Sequence, residues 1–140
     1  MKSKKRIQYL RSKAAESQGW LCYYCSFPMW GSDPEAFKAR YSLPSRAVRH
    51  FRCTAEHLKA RCDGGRDIEE NIVAACHYCN RTRHRKKRPK DAACYASFVR
   101  SRIDKGRWHP AWLRQQMSEA EVLRQLSQGW LCYMPSSLAE

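Results

Sequence analysis

Thr54-Ala-Glu-His-Leu-Lys-Ala-Arg-Cys-Asp-Gly-Gly-Arg-Asp-Ile-Glu-Glu-Asn-Ile-Val-Ala-Ala-Cys-His-Tyr-Cys-Asn-Arg-Thr-Arg-His84 carries most of what this chain says about its architecture. Residues 51–61 read as an extended arm holding Phe51, Cys53, Ala55 and His57. Asp63-Gly64-Gly65 is a turn signal. Asn71 then opens a short β-branched run to Ala75, which predicts a second strand. Cys76-His-Tyr-Cys79 leads into a strongly basic helix over about 78–88, and Pro89 ends it. The order is strand, turn, strand, helix.

Upstream, Trp20-Leu-Cys-Tyr-Tyr-Cys25 supplies a second Cys-x-x-Cys pair. Two residues between thiolates let both sulfurs of a turn face one tetrahedral ion at about 2.3 Å. Cys22, Cys25, Cys76 and Cys79 together predict a closed Cys₄ site, which is structural zinc and not a catalytic centre. Eight cysteines with no export signal favour metal over disulfides. The remaining four, Cys53, Cys62, Cys94 and Cys132, read as buried inert thiols.

The quoted segment, with the lead-in from Trp20, resembles the HNH endonuclease family over about residues 20–88. The resemblance implies an α+β fold: a small ββα-metal (His-Me finger) core with a structural zinc knuckle, flanked by N- and C-terminal helices. It implies that His57 is the general base and that Asn71 holds the His-bearing strand and orients the imidazole. Glu56 falls where the family more often has Asp or His as a metal ligand. Asn80 and His84 fall on the helix positions that complete the site for one divalent ion, Mg²⁺ or another such as Mn²⁺ or Ni²⁺. The implied activity is hydrolysis of DNA phosphodiester bonds, leaving 5′-phosphate and 3′-hydroxyl ends.

The residue types suit that chemistry on their own terms. A water must become nucleophilic near neutral pH, and histidine has the right pKa for the task. A divalent ion must offset charge on the phosphoryl group and the leaving oxygen. Asn80 and His84 are four apart and share one helix face. His50, His77 and His109 have no place in the motif and read as structural.

Over the 140 residues, 27 Lys and Arg stand against 13 Asp and Glu, a net charge of +14. Such an excess repels itself unless a polyanion offsets it, so nucleic acid is the leading partner and an anionic membrane the second; the family resemblance implies double-stranded DNA. Arg81, Arg83, Arg85, Lys86, Lys87, Arg88 and Lys90 crowd beside the expected metal site and read as phosphate contacts. Arg46, Arg49, Arg52, Lys59 and Arg61 extend the track. No apolar run approaches the roughly 20 residues of a membrane span, and the basic start lacks a signal-peptide core, so a cytoplasmic protein is expected. The competing readings are a non-catalytic zinc-stabilised DNA-binding module, an RNA-directed protein, and a subunit of a larger phage or restriction machine.

The rest of the chain reads as helices around that core. One is expected over 3–18, one from Asp33-Pro34 to about 40, then a loop over 41–50. Asp91 caps a helix over about 92–104 with Cys94, Phe98 and Ile103 inward, and Ser118-Glu-Ala-Glu121 opens a last helix over 119–127. Trp108 and Trp112 read as helix packing. Residues 1–110 form the nuclease domain, with 111–140 a helical extension packed on it. Ser17-Gln-Gly-Trp-Leu-Cys-Tyr23 recurs unchanged as Ser127–Tyr133, with Pro135 where Cys25 would correspond.

Overall fold

The computed structural model describes residues 3–132, with side chains as far as Glu121. At its centre β1 (Cys53–His57) pairs antiparallel with β2 (Ile72–Cys76), in a register that sets Cys53 against Cys76 and His57 against Ile72. Helix α4 (His77–His84) follows β2 without a loop. The mixed helix and two-strand arrangement, with the thiol cluster described below, is a small ββα-metal fold.

The β1–β2 connection is pinned by its own residues. Gly64 has φ +86°, a left-handed turn that a Cβ disfavours. At Gly65 a Cβ would lie 1.7 Å from the Lys59 carbonyl oxygen, so only glycine fits. The Asn71 side chain clamps the same loop. Its Oδ1 accepts from the Lys59 N–H at 2.8 Å, and its Nδ2 donates to the carbonyls of Lys59 and Arg66 at 3.1 and 3.0 Å.

Helix α1 (Ser3–Ser17) lies on the sheet, and Gln18 just after it behaves as a strand residue. The Gln18 Oε1 accepts from the Ala74 N–H at 2.9 Å, and its Nε2 donates to the Ala74 carbonyl at 2.8 Å. The turn holding Cys22 and Cys25 then docks on β2, with the Tyr23 N–H donating to the Ala74 carbonyl at 3.0 Å. Helix α5 (Ala92–Asp104), capped by Asp91, closes the far side; its Tyr95 hydroxyl donates to the Cys79 carbonyl at 2.7 Å. Tyr24, Met29, Ala74, Tyr95, Val99 and Trp108 form the core around the thiols.

A second apolar cluster joins α2 (Pro34–Tyr41), α3 (Ser45–Val48), the turn Arg49–Phe51 and the start of α6 (Ala111–Cys132). Phe37, Tyr41, Leu43, Val48, Phe51, Leu113 and Met117 fill it. Phe27 packs against both clusters. Pro34 begins α2 and Asp33 caps it, accepting from the Ala36 N–H at 2.9 Å.

Several expectations need correction. Residues 45–51 are helical turns, not loop, because Pro44 starts a turn that buries Ala47, Val48 and Phe51. Helix α4 stops at His84 and does not reach 88, since Arg85-Lys86-Lys87-Arg88 would stack like charges on an acid-free helix. On α5 the inward residues are Tyr95 and Val99; Cys94 and Phe98 are exposed and Ile103 is only half-buried. The last helix starts after Pro110, so Ser118 lies inside α6 and caps nothing. Trp108 is buried as expected, whereas Trp112 is exposed. Of the four thiols expected to be buried and inert, Cys53 is buried, but Cys62 and Cys94 are exposed, and the Cys132 side chain lies outside the described residues. The second copy of the repeat is helical through Cys132; Tyr133 and Pro135 lie outside the described residues. The first copy turns at Gly19 and Trp20, both with positive φ.

His109 is a buried member of the aromatic packing, its ring 4.6 Å from Phe27 and 4.9 Å from Tyr78. Burial lowers its pKa to about 4, against 6.5 for a free imidazole. The neutral form is therefore favoured in the fold. Its contribution is full above pH 6.5 and is lost as pH falls towards 4, to a limit of about 3 kcal/mol. We expect urea unfolding of H109N, which lacks this titration and whose Asn accepts the left-handed backbone at that position, to fall less between pH 7 and 4.5 than that of the wild type.

Candidate active site

The four predicted zinc ligands meet. Cys22 and Cys25 from the docked turn, Cys76 from the end of β2 and Cys79 from the first turn of α4 are all buried. Their Sγ atoms lie within 4.8 Å of one another, with Cys25 and Cys76 at 3.9 Å. Four sulfurs at 2.3 Å from a tetrahedral ion would be about 3.8 Å apart, so the quartet stands within about 1 Å of that spacing at every pair. Backbone N–H groups already point at it: Cys76 N–H to Cys22 Sγ at 3.2 Å, and Cys79 N–H to Cys76 Sγ at 3.4 Å. Burial works against charge at Cys22, but hydrogen bonds from the other three thiols hold it well below the ordinary thiol range. The hydrogen bond to Cys22 pushes Cys25 well up, and burial does the same to Cys79.

Glu56 points from β1 into the space under α4 and is 1 % exposed. Its Oε1 receives the Tyr24 hydroxyl at 3.0 Å and the guanidinium of Arg83 in a short ion pair. The Nε2 of His84 lies 3.2 Å from each carboxylate oxygen. Two neighbouring donors of an octahedral ion bound at about 2.1 Å stand about 3 Å apart, so Oε2 of Glu56 and Nε2 of His84 are spaced as a chelating pair. The His84 side chain is 37 % exposed, which keeps that side of the pair open to solvent. Asn80 shares the helix face; its Nδ2 donates to Thr54 Oγ1 at 3.0 Å and to the Ala55 carbonyl at 3.2 Å. Its Oδ1 accepts no hydrogen bond among the described residues.

His57, next in β1, turns away from Glu56 towards the β1–β2 loop. Its Nε2 is 2.8 Å from Asp67 Oδ1. A carboxylate only accepts, so this contact places the proton on Nε2 and leaves Nδ1 as the ring's acceptor. Arg61 donates Nη2 to both Asp67 oxygens at 3.1 Å. Its Nε also comes within 3.2 Å of His57 Nε2; with that nitrogen donating to Asp67, the contact is not a hydrogen bond. The hydrogen bond with His57, with Arg61 alongside, holds the Asp67 carboxyl below its ordinary pKa.

Two expectations change here. Asn71 holds the chain directly after His57, as expected, with its carbonyl accepting the Leu58 N–H at 2.9 Å, but it makes no hydrogen bond to the imidazole. Asp67 is the residue that orients the ring. Arg83, expected on DNA, is buried. Besides Glu56 it bonds the carbonyls of His57, Leu58 and Lys90 at 3.0, 3.2 and 3.1 Å. Cys79 and Arg83 are four apart, and an inward thiol ligand turns the residue one turn later inward too. That spacing was a readable signal. Asp67 carried none, since only the loop's path brings it to His57. The other expected phosphate contacts, Arg81, Arg85, Lys86, Lys87, Arg88 and Lys90, are exposed.

The family model for HNH endonuclease matches residues 46–86, so this segment is an HNH domain. It spans both strands, α4, His57, Asn71, Asn80 and His84. No curated protein and no solved structure matches the chain.

Breaking a buried ion pair leaves one charge stranded, whereas removing both partners is close to neutral. Glu56→Ala should therefore cost about 3–5 kcal/mol in urea unfolding, and E56L/R83M should recover most of it. We also expect about one zinc per chain by metal analysis, with Cys79→Ser abolishing both the metal and the cooperative thermal transition.

Proposed function

We propose that the HNH domain at 46–86 makes this chain a metal-dependent endonuclease that hydrolyses DNA phosphodiester bonds, nicking or cutting both strands with low sequence specificity. The observation that carries this reading is the pairing of Glu56 with His84 beside a His57 whose tautomer is fixed by Asp67. In this reading His57 takes a proton from the attacking water at Nδ1, and the Asp67 carboxylate stabilises the imidazolium that results. Glu56, Asn80 and His84 hold one divalent ion, Mg²⁺ or another such as Mn²⁺ or Ni²⁺. When bound, that ion supplies positive charge for the phosphoryl oxygens and the leaving 3′ oxygen. Cys22, Cys25, Cys76 and Cys79 hold zinc in a closed, structural site.

The substrate side is cationic. Arg81, Arg85, Lys86, Lys87, Arg88 and Lys90 run from α4 to the start of α5 and would contact phosphates, which position a duplex without reading its sequence. Arg83 is left out of that set because it is committed to Glu56. No helix among the described residues is long and apolar enough to cross a membrane, and we place the protein in the cytoplasm with double-stranded DNA as its partner. One observation supports a second reading, a non-catalytic zinc-stabilised DNA-binding module: Arg83 already satisfies part of the Glu56 carboxylate.

Supercoiled plasmid separates the two. After chelation of loosely held metal, return of Mg²⁺, Mn²⁺ or Ni²⁺ should restore nicking or linearisation by the wild type. His57→Ala should lower the rate by about 10²-fold or more. Asp67→Asn should lower it by at least about tenfold, because an amide no longer enforces the tautomer. Near-normal cleavage by H57A would remove His57 from the role of base. DNA bound but uncut with every metal would favour the binding module.

A further inference from the structure

Helix α4 has a second working edge. Tyr78, Arg81 and Arg85 recur at helical spacing on a stripe separate from Asn80 and His84. They face Arg46, Arg49 and His50, from α3 and the turn after it, across a cleft of about 260 Å³. No carboxylate lines this cleft. None of its four guanidiniums forms an ion pair among the described residues. Like charges gathered in one concavity repel one another. Two residues on from Arg81, by contrast, Arg83 is paired with a buried acid. Burial, with Arg49 and Arg81 adding to it, lowers the pKa of His50, so the cleft's positive charge rests on its arginines.

We propose that this cleft is a built phosphate-binding site, in which Arg81 and Arg85 of the cationic run act together with Arg46 and Arg49 on a single nucleic-acid phosphodiester, on a different face of α4 from the Glu56–His84 pair. Four arginines suit an anion with several oxygens, because a guanidinium offers paired donors in a fixed fork. The Tyr78–Arg85 stripe and the Asn80–His84 face lie roughly 110° apart round α4, so a duplex backbone can meet both. A duplex phosphate held here fixes the angle at which α4 meets the DNA, so the site is a clamp and not a reader of sequence. The nucleic-acid identity of the ligand rests on the proposed function; the anion chemistry of the cleft does not.

Duplex-oligonucleotide binding by fluorescence anisotropy, without added divalent ion, tests the proposal between about 50 and 200 mM salt. The full chain is compared with Arg49→Ala/Arg81→Ala, and zinc content and melting confirm that the variant is folded; either single variant serves if the double one loses zinc. Loss of one phosphate contact should make the slope of log affinity against log salt shallower by about one. Arg49→Lys/Arg81→Lys should restore the slope. An unchanged slope in the folded alanine variant overturns the site. Should the wild type bind no duplex at all, the nucleic-acid reading fails, and pyrophosphate then decides the cleft by itself. Under pyrophosphate titration, a saturable NMR shift of the His50 ring that is absent in the alanine variant upholds a phosphate site fed by a soluble ligand. No shift in the wild type overturns it.

Discussion

Moving a carboxylate and a guanidinium out of water together costs several kcal/mol per ion before their attraction returns anything. Residues 53–84 are arranged around recovering that cost for Glu56 and Arg83. Arg83 spends its remaining donors on the carbonyls of His57, Leu58 and Lys90. Tyr24 gives its hydroxyl to Glu56, and burial together with Glu56 raises the phenol's pKa so that it stays a donor. The pair therefore fastens β1 to α4 at one point and brings His84 onto the same carboxylate. It also anchors the start of the β1–β2 loop, because Arg83 holds the carbonyl of His57, the last residue of β1, and that of Leu58, the first of the loop. A metal drawn to Glu56 and His84 would meet a carboxylate already held in place.

The thiol quartet performs the complementary task. Each apolar cluster is small, and neither encloses the whole chain. Cys22 and Cys25 are separated from Cys76 and Cys79 by about fifty residues, yet they share one buried point. An unfolded chain rarely holds such a site preformed, so a metal tying the quartet would bind the folded chain alone and its binding free energy would become folding free energy. Because Cys76 ends β2 and Cys79 lies in the first turn of α4, the same tie sets where the helix begins. The phase of α4, and with it the edge that carries Asn80 and His84, follows.

Much of this was legible in the sequence. The strand–turn–strand–helix order and the two Cys-x-x-Cys pairs follow from residue type and spacing, which are local properties, whereas the meeting of Glu56 with His84 was implied by the family resemblance. Asp67 was not legible, because its approach to His57 depends on the course of a loop fixed by Gly65 and Asn71. Arg83 was read as one more cation in a basic run; its burial becomes visible only once Cys79 sets the helix phase. The heptapeptide at 17–23 and 127–133 shows the limit most directly. The first copy turns sharply at Gly19 and Trp20 to dock on β2, whereas the second continues a helix through Cys132. Identical residues take different backbones, and in the first copy the turn is held by a sheet edge and by the place of Cys22 in the thiol quartet.

That sheet edge has a further consequence. A two-stranded sheet would ordinarily present open rows of N–H and C=O groups, which are templates for pairing with another chain. On β2 the Gln18 amide takes both backbone groups of Ala74, and Tyr23 bonds the same carbonyl. At the start of β1, the Cys53 N–H donates to the Trp30 carbonyl at 2.9 Å and the Trp30 N–H to the Phe51 carbonyl at 3.1 Å, closing part of the other edge. One side chain thus imitates a third strand without the length or apolar surface that a real one would add. The small sheet is kept from recruiting a stranger, and in a protein carrying so many like charges, solubility then depends on both repulsion and a blocked edge.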